Sequence, residues 1–304
     1  MKVLDVLKKL ARATAVTCAI GMFAGSALAQ TGRTDPVEGP DPFSHANELR
    51  EGGRLEEALE AYTAYIKEHP KSGAAYELRS AVLGELKRYE ESLDDSELAL
   101  AYLTIPRDRA RTAYAKCQSL IILNRVGEAA LACVESAKFD PTYAMAFVGL
   151  GKIAVGADLW EKAAMALDRA IELDPTISAA WTYRALTHLQ QGNRRDALVA
   201  AEKAVELDPN DLRALEVRAV SYGLNGRFQE MLDDATRVVE FEPPMAGAHL
   251  LRGKAFAFLG RFDEAIAEFE AEPAREAAEA AIADVRKQLT SARSDKPVGP
   301  VVVQ

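Results

Sequence analysis

The chain has 304 residues, 49% hydrophobic, 27% charged and only 7% aromatic, with 37 basic against 46 acidic side chains and a formal net charge of −9. This composition predicts a soluble, folded chain long enough to build a core without disulfides. The acidic balance excludes nucleic acid as the main partner, because a phosphate backbone is held by clustered Lys and Arg.

Residues 1–29 open with Lys2, Lys8, Lys9 and Arg12, continue through an uncharged, mainly apolar run from Ala13 to Ala24, and end Ser26-Ala27-Leu28-Ala29. This is the pattern of a secretory signal peptide, with cleavage expected after Ala29. The apolar run falls short of the roughly 20 residues that span a bilayer, which weighs against an uncleaved anchor. The residues before Cys18 fit a lipoprotein site poorly. Cleavage removes four bases and one acid, leaving 33 basic and 45 acidic residues and a charge of −12. The mature protein is expected in the periplasm or outside the cell, with no membrane insertion after cleavage.

Beyond a flexible leader at 30–38, proline recurs after Glu, Asp or His at Pro70, Pro141, Pro175, Pro209 and Pro243. The last four are spaced by 34 residues. A small residue recurs in the same frame at Ala46, Ser80, Cys117, Gly151, Ala185, Ala219 and Gly253. Glycine follows at Gly53, Gly192, Gly226 and Gly260, where a left-handed residue ends a helix without a Cβ penalty. An alanine then opens a second helix at Ala58, Ala129, Ala163, Ala197 and Ala265, with Ser92 and Met231 as departures.

These segments resemble tetratricopeptide repeats, in which 34 residues form a helix, a turn and a second helix. The match predicts seven repeats across 39–272, at 39–72, 73–106, 110–143, 144–177, 178–211, 212–245 and 246–272. One helical hairpin cannot offset its own chain entropy, so hairpins must stack and share faces. The resemblance implies an all-α, right-handed α-solenoid of helix-turn-helix repeats. Residues 273–290 are expected to form a C-terminal capping helix, and 291–304 a disordered tail whose Val301-Val302-Val303 is apolar enough to raise a docking strand as the alternative. The three extra residues around Pro106 predict a longer second helix in repeat two.

Signals for chemistry are sparse. His45, His69, His188 and His249 have no partner at metal-ligand spacing, and His188 and His249 fall on core positions. No phosphate loop, nucleophile elbow or Cys-x-x-Cys pair occurs. No cofactor, metal or catalytic residue is expected. Cys117 and Cys133 face one another across repeat three and are open to two readings: a disulfide, as an oxidising compartment permits, or two buried thiols. Helix axes roughly 8 to 10 Å apart argue against the bond. A row of bases, Arg79, Lys116, Arg184, Arg218 and Arg252, precedes each small residue. It reads either as an anion ladder or as stems packed between helices, with heads on the preceding repeat.

In the family this chain resembles, the first helices line the concave surface and hold a peptide. The equivalent positions are Tyr114, Gln118 and Ile121; Val148 and Lys152; Thr182, Leu186 and Leu189; Glu216, Val220 and Leu224; and Leu250, Lys254 and Phe258. The Lys and Asn constellation that some members use to clamp a terminal carboxylate is absent from them. The expected function is a non-enzymatic exported scaffold for a peptide segment or helix of a partner protein, the alternative being a self-assembling structural protein that forms homo-oligomers.

Overall fold

The computed structural model describes residues 42–241, 247–273 and 275–294; the predicted signal peptide, the leader, Pro243 and the chain end from 295 onward lie outside them. The described residues form fifteen α-helices and no strand, in two compact units divided after Pro175. The first unit holds α1 (Ser44–Glu51), α2 (Leu55–Glu68), α3 (Gly73–Glu85), α4 (Tyr89–Tyr102), α5 (Pro106–Ile122), α6 (Val126–Phe139), α7 (Ala144–Gly156) and α8 (Trp160–Leu173). The second holds α9 (Ser178–Gln191), α10 (Arg194–Leu207), α11 (Leu212–Leu224), α12 (Phe228–Val239), α13 (Ala248–Phe258), α14 (Phe262–Ala271) and α15 (Arg275–Ser294).

Within each unit, successive helices pair as hairpins and each hairpin packs on the next. The turn inside every hairpin is made the same way. Gly53, Gly192, Gly226 and Gly260 have φ of 74° to 82°, as the glycine pattern predicts, and the equivalent Lys87, Asn124 and Asp158 take φ of 57° to 61° without being glycine. Asp before proline ends the second helices of repeats three, four and five, at Asp140, Asp174 and Asp208. At Asp208 the backbone turns extended, as a residue before proline must, and its Oδ1 accepts the Asn210 N–H at 3.0 Å. Asp140 does the same for Thr142 at 2.8 Å.

The two helices of a hairpin meet in one register: each small residue of the first faces the residue 16 positions later on the second. Ser80 bonds Ser96 at 2.8 Å across 16 residues. At Gly151 and Gly253 a Cβ would come within 2.5 Å of Leu167 and 2.4 Å of Phe269, so glycine there is what admits a large partner. Ala185 and Ala201, and Ala219 and Ala235, hold the same 16-residue spacing and are all fully buried. Volume is therefore shared out pair by pair, and an alanine-rich core reaches close packing without many aromatics. The departure at Met231 is absorbed likewise: a Cβ on Gly223 would lie 2.7 Å from its sulfur.

Cys117 and Cys133 occupy this register and are joined as a disulfide with α-carbons 5.4 Å apart. Axis spacing was a poor guide, because side chains of this size at the point of closest approach bring the backbones within bonding range. Gly149 of the next hairpin lies over the bridge, where a Cβ would sit 2.4 Å from the Cys133 sulfur.

The insertion before repeat three corrects one expectation. α4 keeps 14 residues, and the extra length goes to the start of α5, which has 17. Pro106 cannot continue α4 but suits the first turn of a new helix, where its missing N–H is no loss. Ile105 before it is extended, with ψ of 123°. At the other end α15 lays Ala278 and Val285 on Leu250 and Phe269, covering the last hairpin, and its helical backbone runs to Ser294, beyond the predicted end at 290.

Candidate functional site

The predicted binding positions lie on the first helices of the hairpins. In the first unit Tyr114, Ile121 and Val148 are buried, while Gln118 and Lys152 are half-buried. In the second, Thr182, Leu186, Leu189, Glu216, Val220 and Leu250 are buried, and Leu224, Lys254 and Phe258 are half-buried. Most of the apolar row thus serves packing between helices. The surface on offer is made by the half-buried members.

Charges on this side are completed from within in the first unit. Arg50 donates to Glu85 at 2.8 Å through Nε. Arg111 grips Glu77 with two donors, at 2.6 and 3.0 Å, and reaches Asp108 at 3.0 Å. Gln118 donates to the Tyr114 hydroxyl. Tyr114 meets Tyr143 edge to face at 5.9 Å, and the Arg107 guanidinium lies 4.6 Å over the Tyr143 ring. Burial pushes the Tyr143 phenol up to about 12.

The second unit keeps two ionisable groups in this row, Glu216 buried and Lys254 half-buried. Burial raises the Glu216 carboxyl to about 7 against the pull of Arg213, and no hydrogen-bond partner reaches its Oε2. Burial lowers the Lys254 amine to about 7 against the pull of Glu272. Glu272 is itself buried and accepts the Leu250 N–H at 3.2 Å.

Three of the five recurrent bases, Arg79, Arg218 and Arg252, are structural and use the 16-residue register. Arg79 makes two 2.7 Å bonds to Asp95, Arg218 two 2.8 Å bonds to Asp234, and Arg252 one of 2.6 Å to Glu268. Their acids stand on the second helix of the same repeat, not on the preceding one as expected. Lys116 has Ala132 at that position and reaches back to Glu97 instead, at 2.9 Å. His249 also departs from the core role expected of it: its Nδ1 lies 2.9 Å from Glu268. Although burial works to raise it, bonds from Arg252 and His249 hold the Glu268 carboxyl below its ordinary value.

Sequence reasoning missed a second surface. On the outer side of the second helices, Leu131 is 71% and Met165 74% exposed in the first unit, and Val199 is 63% exposed in the second. Their numbers differ by 34, so the repeat itself was the available signal. Among the described residues no group of three His, Cys, Asp or Glu is placed to hold a metal, and no helix is long and apolar enough to cross a membrane.

Two models of the tetratricopeptide repeat match, one over residues 178–211 and one over 43–110. Among solved structures, the chain is similar to a tetratricopeptide repeat protein from Parabacteroides merdae, at 17% identity over 81% of this chain and 97% of that one, with a TM-score of 0.58. It is also similar to PilW, a widely conserved type IV pilus biogenesis factor, at 19% identity over 69% of this chain and 96% of that one, with a TM-score of 0.58. A chain of the Cut9-Hcn1 hetero-tetramer of the APC/C matches at 19% identity over 80% of this chain and 48% of its own, with a TM-score of 0.59. At these identities the likeness is one of fold.

Proposed function

The chain is a tetratricopeptide repeat protein, and from that premise we propose that it is an exported, non-enzymatic scaffold that holds an extended or helical segment of a partner protein against its first helices. One observation carries this reading. Within each unit the stacked hairpins set half-buried side chains at matching positions of successive first helices, Gln118 and Lys152 34 residues apart in one and Leu224 and Phe258 34 apart in the other. A row of this kind suits a linear ligand whose own side chains recur at regular intervals.

Export is supported by residues 1–29 and by the Cys117–Cys133 bridge, since disulfides persist in oxidising compartments. The mature protein should be recovered from the exported fraction beginning at Gln30, with neither remaining cysteine alkylated until reductant is added. Recovery in the cytoplasm with residue 1 intact contradicts the export reading.

The binding reading is tested in intact cells with a photo-crosslinking residue placed singly at Gln118, Lys152, Leu224 or Phe258, and at Leu131, Met165 or Val199 for comparison. Adducts to one discrete partner from the first set are the expected result. Adducts only from the second set move the interface to the outer helices.

That outcome would favour a second reading, homo-oligomerisation through the exposed Leu131 and Met165. Light scattering separates the two. A strict monomer at high concentration removes self-assembly.

A further inference from the structure

Glu77 on α3 and Glu216 on α11 hold the same place in their repeats, each three residues before the small residue of its helix, Ser80 and Ala219. In the first unit the following repeat supplies the counter-charge: Arg111, six residues before Cys117, grips Glu77 with two donors. In the second unit the place equivalent to Arg111, six residues before Gly253, is Gly247. It has no side chain to offer, and a Cβ built there meets nothing within 4 Å.

Glu216 is more than nine-tenths buried, and its Oε2 has no hydrogen-bond partner among the described residues. A buried carboxylate in that state is costly, and native structures retain few. Among the described residues no donor reaches Glu216 Oε2. The five residues before Gly247, Glu242-Pro243-Pro244-Met245-Ala246, include no base. Lys254, further along α13, is drawn to Glu272. Arg213, one turn before Glu216, lowers its pKa without supplying a bond to Oε2.

We propose that Glu216 is a specificity subsite for a lysine or arginine side chain of the bound segment, which enters beside Gly247 and completes from outside the ion pair that Arg111 completes from within in repeat two. The partner is thereby narrowed to a segment carrying a basic residue among apolar ones, which suits a mature carrier of net charge −12. The inference rests on the first-helix face being the binding surface. It adds the chemistry of one position on that face.

The probe is a phage-displayed random peptide library panned on the full mature chain and, in parallel, on its Glu216→Gln form. Glutamine keeps the size of the side chain and removes the unpaired charge, so the variant should fold at least as well as the parent. Peptides from the parent should share a lysine or arginine at one fixed position relative to their apolar residues, and should bind the variant about tenfold or more weakly. Peptides from the variant should keep the apolar pattern and lose the basic position. Basic residues equally frequent in both pools overturn the subsite, as do parent peptides with no shared base; either result leaves the binding face standing. Failure to select any peptide on either form overturns the binding face and the subsite together.

Discussion

Repeats two and six place the same charges in the same frame and finish them differently. Both carry an arginine bonded to an acid 16 residues on, Arg79 with Asp95 and Arg218 with Asp234. Both place a glutamate three residues before the small position. In repeat two that glutamate meets Arg111 of the next repeat; in repeat six the place equivalent to Arg111 is Gly247, which has no side chain, and Glu216 Oε2 has no hydrogen-bond partner. A pair closed inside one hairpin is inherited with the repeat, whereas a pair closed by the neighbouring hairpin depends on which residue that neighbour holds.

The comparison breaks most sharply at Arg111. Arg111→Ala turns repeat two into a copy of repeat six by leaving Glu77 buried without its partner. It should cost about 3 kcal/mol in chemical denaturation, and a neutral outcome would mean that the Glu77 pair contributes nothing that repeat six lacks.

The shared register is tested next. Gly151→Ala and Gly253→Ala each drive a Cβ into a buried partner, Leu167 in the first unit and Phe269 in the second. Each should cost about 2 kcal/mol. A loss in one unit alone would show that the 16-residue register does not hold across the chain. Gly149→Ala should be damaging with the disulfide present and far milder in a Cys133→Ala background, because the atom it strikes is the Cys133 sulfur. Thermal melts of the four proteins read that coupling.

The smallest expected effect concerns the turns. Lys87 holds a left-handed conformation that glycine holds in four other repeats, so Lys87→Gly should raise stability by up to about 1 kcal/mol. A loss would show that the Lys87 side chain contributes more than its backbone costs.

Much of this was legible in the sequence, and the parts that were not share a cause. The repeat frame, the small positions and the glycine turns are single-residue signals at fixed spacing, and each stands where the spacing put it. Lys87, Asn124 and Asp158 escaped because their left-handed backbone is imposed by the hairpin and not by residue type. The acids Asp95, Asp234 and Glu268 escaped because a partner 16 residues away is visible only once the closest-approach register is known. Pro106 was misassigned because a proline that starts a helix and one that follows a helix look alike without the chain path between them. Glu216 was placed on the binding face from its repeat position, yet its lack of a counter-charge depends on Gly247, a residue 31 positions away whose significance is the side chain it does not have.

The most direct measurement compares the unfolding free energies of the parent and Glu216→Gln at about pH 5 and about pH 8. A carboxyl whose folded pKa is about 7, above the ordinary 4.5, binds more protons folded than unfolded between those values, so its stabilising contribution is present at low pH and lost as pH rises through 7. The variant should therefore differ little from the parent near pH 5 and be about 2 kcal/mol more stable near pH 8. Equal stability at both pH values, or a variant weaker near pH 8, would mean that Glu216 already has its counter-charge within the chain and is no open subsite.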